Sequence, residues 1–142
     1  MEAIRIENLT KTYKDVTAVD HLTLSVAEGE LFSLLGVNGA GKTTTIRMLS
    51  TLTLPTGGDA YLLGKSITRD AAAVKSVIAV SPQETAVAPN LTVSENLALI
   101  CGVHGFSKEK QETKIREMTV LLGLESVLGR KAGKLSGGWQ RR

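Results

Sequence analysis

The chain has few of the features that would indicate a secreted or membrane-spanning protein. It carries one cysteine, Cys101, among 142 residues, so an internal disulfide is excluded and no oxidising compartment is indicated. No apolar run approaches the roughly 20 residues that span a bilayer. Residues 1–5 lack the basic-then-apolar order of a signal peptide. These absences predict a soluble, intracellular protein that meets a membrane only through a partner.

Aromatic residues and excess charge are also scarce. Two Phe, two Tyr and one Trp leave the core to be filled mainly by aliphatic side chains. The net charge is only +3 and the basic residues are scattered, so no nucleic-acid partner is expected. The length suffices for one domain with a real core.

The first half of the chain has the apolar patterns of strands, with one helix among them. Partly alternating apolar residues at 4–9 and 19–26 predict two strands, and the apolar run 31–35 predicts a third that ends at Gly36. Apolar residues at helical spacing predict a helix from Lys42 to about Leu52. Residues 61–63 and 77–80 are two further candidate strands.

The second half is predicted to be helical after about residue 90. Thr92-Val93-Ser94-Glu95 has the form of a capping box before an apolar run. Ser107 can cap a second helix that runs to about Leu122, with Gly123 beyond its end.

The strongest functional pattern is G-x-x-x-x-G-K-T, from Gly36 to Thr43. A triphosphate needs many donors that converge on a small volume. Glycines let backbone N–H groups wrap around it, and the following helix directs its positive end at the phosphates. Lys42 can reach the β- and γ-phosphates, and Thr43 offers a hydroxyl to Mg²⁺. The alternative is an ordinary Gly-rich turn, but the expected position between an apolar strand and a helix favours nucleotide binding.

A second pattern, Leu135-Ser136-Gly137-Gly138-Trp139-Gln140, narrows the class. It resembles the LSGGQ signature of ABC ATPases. By itself it could equally be a serine-capped helix with a flexible lead-in. Gln83 resembles the Q-loop glutamine of that family, and Tyr13 the aromatic residue that stacks on adenine. Segments 38–44, 55–57, 91–97 and 135–140 resemble the family in the same order, and 44–49 with Arg141-Arg142 resemble its ABC-2 exporter branch.

The resemblance implies an α/β phosphate-loop NTPase fold with an antiparallel β subdomain and a helical subdomain. The expected parts are about 1–82 for the β and phosphate-loop core, about 83–135 for the helical subdomain, and 135–142 for the signature and the start of its helix. Lys42 and Gln83 are the catalytic candidates, and Thr43 and Gln83 are the Mg²⁺ candidates. The residues expected to contact ATP are Tyr13, Gly36, Val37, Asn38, Gly39, Ala40, Gly41, Lys42, Thr43, Thr44, Ser136, Gly137 and Gly138.

The family resemblance also implies two partners. One is a transmembrane permease subunit, which would hold the protein peripherally on the cytoplasmic face of the membrane. The other is a second ATP-binding subunit in a head-to-tail dimer, so that Ser136, Gly137 and Gly138 of one copy close on the γ-phosphate bound by the other.

Two positions depart from the family pattern, and Walker B, the catalytic Glu and the switch His of the family are missing. Trp139 replaces the usual Gln of the signature, and Val37 a frequent Pro of the loop; we expect both to be tolerated. No apolar strand ending in the Walker B Asp and Glu follows the signature, and the switch His is missing as well. We therefore expect a partial domain with an incomplete parallel sheet, poorly stable and inactive alone.

Two other functions are compatible with the sequence. One is a nucleotide-binding module without catalysis. The other is a soluble ABC ATPase that acts on nucleic acid or ribosomes, although no coiled-coil insertion or paired domain is visible. A GTPase is disfavoured because no Asn-Lys-x-Asp motif is present.

Overall fold

The computed structural model describes residues 1–81 and 86–142, which form two compact units, Met1–Val80 and Ser81–Arg142. Each unit has its own cluster of buried apolar side chains. Among the described residues, no helix has both the length and the apolar character needed to cross a bilayer.

The first unit is built on a four-stranded antiparallel sheet with the strand order β2-β1-β3-β4. The strands are β1 (Glu2–Tyr13), β2 (Val16–Ala27), β3 (Gly57–Leu62) and β4 (Lys65–Ser66). Helices α1 (Lys42–Leu49) and α2 (Ala71–Lys75) accompany the sheet. The strand predicted over residues 4–9 is confirmed, and Ile6 and Leu9 of β1 are buried with Met48 of α1. The pairing of β1 with β2 shifts register between Ile6 and Leu9, so strict alternation does not hold there.

Two of the predicted strands are wrong. Residues 77–80 form the end of a turn and irregular chain after α2, where the Val77 N–H donates to the carbonyl of Val74. Residues 31–35 are also irregular, with Leu31 96% and Leu35 87% exposed. A strand needs a neighbour for its backbone N–H and C=O groups, and within the described residues none pairs with either segment.

The described part of the second unit contains three α-helices, α3 (Val93–Val103), α4 (Lys108–Leu122) and α5 (Gly137–Gln140). The predicted capping box is confirmed: the Thr92 hydroxyl accepts from the Glu95 N–H, and the Glu95 carboxylate accepts from the Thr92 N–H. Ser107 caps α4, and Gly123 ends it with a left-handed φ of 62°. Short 3₁₀ turns at Glu125–Val127 and Ala132–Lys134 lead to α5.

Candidate functional site

The glycine-rich loop leads directly into α1, as the pattern predicts. Gly41 is the N-cap of α1 with φ 81° and ψ −1°. A Cβ at Gly41 would lie 2.3 Å from the carbonyl oxygen of Ala18, so both the backbone angle and the space require glycine. The close approach sets the start of α1 against β2.

Lys42 folds back over this loop. Its Nζ donates to the carbonyl oxygens of Gly36 at 2.6 Å and Val37 at 2.7 Å. The Val37 carbonyl also accepts from the Ala40 N–H at 3.2 Å, which tightens the turn. None of the ion pairs found among the described residues involves Lys42, so its charge is held over the loop by neutral carbonyls.

The N-terminus of α1 differs from those of α3 and α4. Thr92 and Ser107 cap the latter two with side-chain oxygens, whereas no side chain among the described residues caps α1, and its first turn has no acidic residue. The first N–H groups of a helix carry partial positive charge and need acceptors. An uncapped helix start beside an ammonium group is chemically suited to an anion.

The remaining predicted loop residues are mostly on the surface. Val37, Asn38, Gly39 and Ala40 are exposed, as is Thr43, whereas Thr44 is half-buried. A triphosphate with Mg²⁺ fits this donor set, because the Lys42 ammonium meets phosphate charge and the exposed Thr43 hydroxyl offers the oxygen ligand that Mg²⁺ prefers.

Sequence reasoning missed Thr45. This side chain is only 4% exposed, and its hydroxyl donates to the Gly41 carbonyl at 3.0 Å, beside the helical Thr45 N–H bond to the same oxygen at 2.8 Å. Two donors on one carbonyl fix the junction between loop and helix. The sequence could have indicated this hydrogen bond, because the hydroxyl of a threonine in a helix often donates to the carbonyl four residues before it.

Tyr13 is the last residue of β1 and 45% exposed. The Nζ of Lys11 lies 5.0 Å from the centre of its ring. The same Nζ donates to the carbonyl oxygen of Leu54 at 2.7 Å.

The signature segment lies in the second unit. Ser136 is the N-cap of α5 but makes no side-chain capping bond, and Ser136, Gly137 and Gly138 are exposed. Ser136 and Gly138 line a pocket of about 240 Å³ together with Trp139 and Arg142. The arrangement leaves the serine hydroxyl on an accessible surface.

Trp139 and Gln140 anchor the signature segment within the second unit. Trp139 packs against the buried cluster of the second unit, and the Arg142 guanidinium lies 4.7 Å from its ring centre. The Gln140 amide donates to the carbonyls of Ala132 and Leu135, both at 3.0 Å. Trp139 therefore serves as a packing residue at the position where the signature usually has Gln.

The predicted site residues fall in both units. Tyr13 and Gly36–Thr44 belong to the first unit, and Ser136–Gly138 to the second. Gln83 lies outside the described residues, so its assignment to catalysis and to Mg²⁺ stays a prediction.

Comparison with known proteins gives a consistent result. A family profile described as "ABC transporter" matches residues 19–142. The chain is 36% identical over 139 residues to the probable multidrug ABC transporter ATP-binding protein YbhF of Escherichia coli, and 39% identical over 140 residues to the spermidine/putrescine import ATP-binding protein PotA of Rubrobacter xylanophilus. A solved dimeric structure of MJ0796, described as a bacterial ABC transporter cassette, matches with a TM-score of 0.80 at 29% identity.

These matches cover nearly all of this chain but only part of each relative. The alignment takes in 98% of the chain against 24% of YbhF, and 99% against 37% of PotA. For MJ0796 the figures are 96% of this chain and 65% of that one.

Proposed function

Because this chain belongs to the ABC transporter family as an ATP-binding domain, we propose that it binds Mg-ATP and couples the nucleotide to transport across a membrane. The transport is proposed to be export, which the likeness of residues 44–49 to the ABC-2 branch supports. PotA is named for import, so the likeness of residues 44–49 to the ABC-2 branch is the feature that favours export here.

The observation that carries the proposal is the uncapped start of α1 beneath Lys42. Residues Gly36–Thr44 supply backbone N–H groups, Lys42 meets the β- and γ-phosphates, and Thr43 would hold Mg²⁺. Mg²⁺, when bound, would neutralise phosphate charge. The catalytic role of Lys42 is to stabilise charge on the γ-phosphate, since its ammonium can exchange two neutral carbonyls for phosphate oxygens.

A titration with Mg-ATP tests the proposed contact of Lys42 with the phosphates. Lys42→Ala should weaken binding about tenfold or more, because it removes charge-assisted hydrogen bonds to the phosphates. Lys75→Ala is the control, since it removes an equal charge from an exposed site at the end of α2. Equal affinities for wild type and Lys42→Ala would show that this loop does not bind the triphosphate.

The partners follow from the same family. We propose that Ser136, Gly137 and Gly138 contact the γ-phosphate held by a second copy. Two observations support this: Ser136 is exposed and its hydroxyl makes no capping bond to α5, and MJ0796 was solved as a dimer. A transmembrane permease is the other proposed partner, and it would hold the protein at the cytoplasmic face of the membrane. No nucleic-acid partner is proposed.

A further inference from the structure

One face of the Tyr13 ring is approached by a cation that is held from a distant part of the chain. Lys11 and Tyr13 are two residues apart on β1, a spacing that puts both side chains on the same face of a strand. The Lys11 ammonium lies 5.0 Å from the ring centre and donates to the Leu54 carbonyl at 2.7 Å. The bond to Leu54 fixes a lysine side chain that would otherwise sample many rotamers.

Further hydrogen bonds join the end of β1 to the same segment. The Thr56 N–H donates to the Thr10 carbonyl at 2.9 Å, and the Thr56 hydroxyl accepts from the Thr12 N–H at 3.1 Å. The hydroxyl of Thr56 also donates to the Thr10 carbonyl at 3.1 Å. The backbone that carries Lys11 and Tyr13 is therefore anchored beside Leu54.

This segment is in turn attached to the helix of the phosphate loop. The N–H groups of Leu52 and Thr53 both donate to the Arg47 carbonyl, at 2.9 and 3.2 Å, and so bind the segment to the last turn of α1. Helix α1 begins at Lys42 of the phosphate loop. The loop is therefore connected, through α1 and these hydrogen bonds, to the segment that holds Lys11 beside the Tyr13 ring.

We propose that Lys11 is a positioning residue for the nucleotide base. Its ammonium is attracted to one face of the Tyr13 ring and covers it, so that the adenine stacks on the opposite face. A ring already held in one orientation loses less conformational freedom when a base stacks on it. This inference rests on the proposed nucleotide binding and deepens it, because it assigns the base subsite a second residue.

The test compares a ligand that has the base with one that lacks it. In the 142-residue chain, Lys11→Met keeps the length of the side chain but removes the cation and the donor. It should weaken binding of Mg-ATP roughly threefold to tenfold and leave binding of Mg-tripolyphosphate within about twofold of wild type. Lys11→Arg, which keeps both the charge and a donor, should restore Mg-ATP affinity. Lys11→Gln keeps a donor without the charge and should resemble Lys11→Met.

Lys14→Met is the matched control, since Lys14 follows Tyr13 directly, is exposed, and its side chain makes no hydrogen bond, ion pair or ring contact among the described residues. It removes the same charge and should change neither affinity. If Lys14→Met weakened Mg-ATP as much as Lys11→Met, general electrostatic attraction would account for the loss and the inference would be overturned. An equal loss for both ligands in Lys11→Met would overturn it as well, because base positioning cannot affect tripolyphosphate.

Tyr13→Ala separates this inference from the proposed function. If Tyr13→Ala weakens Mg-ATP and neither Lys11→Met nor Lys11→Gln does, Lys11 does not position the base, although nucleotide binding stands. If Tyr13→Ala leaves Mg-ATP affinity unchanged, the base does not stack on Tyr13, and Lys11 cannot position the base through that ring. The response of Mg-tripolyphosphate to Lys42→Ala then still decides whether the phosphate loop binds its ligand.

Discussion

At the scale of single residues, the phosphate loop depends on positions where the backbone leaves no choice of side chain. Gly39 and Gly41 have nearly the same left-handed φ, 86° and 81°. Their surroundings differ, because a Cβ at Gly39 would have no atom of the described residues within 4 Å, whereas one at Gly41 would lie 2.3 Å from the Ala18 carbonyl oxygen. The pair therefore separates the cost of backbone strain from the cost of a steric clash.

Gly41→Ala should destabilise the protein more than Gly39→Ala. Both variants carry the strain of a left-handed alanine, about 1–2 kcal/mol, but only Gly41→Ala must also move α1 away from β2. We expect an additional loss on the order of 1–3 kcal/mol from this overpacking. Urea unfolding followed by circular dichroism measures both variants against wild type. Equal losses would mean that the contact with Ala18 relaxes without cost.

Much of the candidate site was visible in the sequence at this scale, and its limits have physical causes. The loop from Gly36 to Thr43 could be recognised because its glycines, lysine and threonine act through local backbone geometry. Lys11 could not be assigned, since its partner Leu54 is 43 residues away and only the fold brings them together. Trp139 was expected to be tolerated, and the structure gives it a packing role against the second buried cluster.

At the scale of secondary-structure elements, local signals predicted the helices better than the strands. Thr92 with Glu95, and Ser107 with Gly123, mark helix ends through bonds to neighbouring residues, and the structure confirms both pairs. A strand is completed only by a partner elsewhere in the chain. Residues 31–35 have the composition of a strand, but no described segment pairs with them.

The capping box of α3 should make stability depend on acid pH. The Glu95 carboxylate accepts hydrogen bonds from the Thr92 N–H, which has the larger effect, and from the Thr92 hydroxyl. Both bonds lower the pKa of Glu95 below its usual value of 4.5. A group whose pKa is lowered by folding stabilises the protein above its unfolded pKa, and this contribution is lost as pH falls through the folded value. Wild type should therefore exceed Glu95→Gln in stability at pH 6, and the difference should shrink between pH 4.5 and 3.

Thermal melts of both proteins across this pH range measure the difference. Glu112→Gln is the control, because Glu112 is exposed in the middle of α4 and no side-chain partner of it is found among the described residues. Its difference from wild type should vary less with pH than that of Glu95→Gln. A Glu95→Gln difference that stayed constant down to pH 3 would contradict the contribution assigned to the ionised capping box.

At the scale of the whole molecule, each of the two compact units presents one candidate nucleotide-contacting surface. The first has the loop Gly36–Thr44, and the second has Ser136–Gly138. In the proposed head-to-tail dimer, the nucleotide held by the loop of one copy is closed by the signature of the other. Such a site is complete only when two chains meet, so nucleotide binding and association are linked.

This linkage predicts that Ser136→Ala separates binding from dimer formation. Removing an exposed hydroxyl from the second unit should leave the affinity of a single chain for a non-hydrolysable Mg-ATP analogue within about twofold of wild type, because the loop residues are intact. It should weaken the nucleotide-dependent dimer, measured by sedimentation velocity, about tenfold or more, the effect of losing a hydrogen bond to a charged phosphate oxygen. Ser126→Ala, at another exposed serine of the same unit, should leave both quantities unchanged.

If Ser136→Ala dimerised as readily as wild type, the hydroxyl would not contact the nucleotide across the interface. A parallel loss of single-chain binding would mean that Ser136 contacts the nucleotide bound by the loop of its own chain.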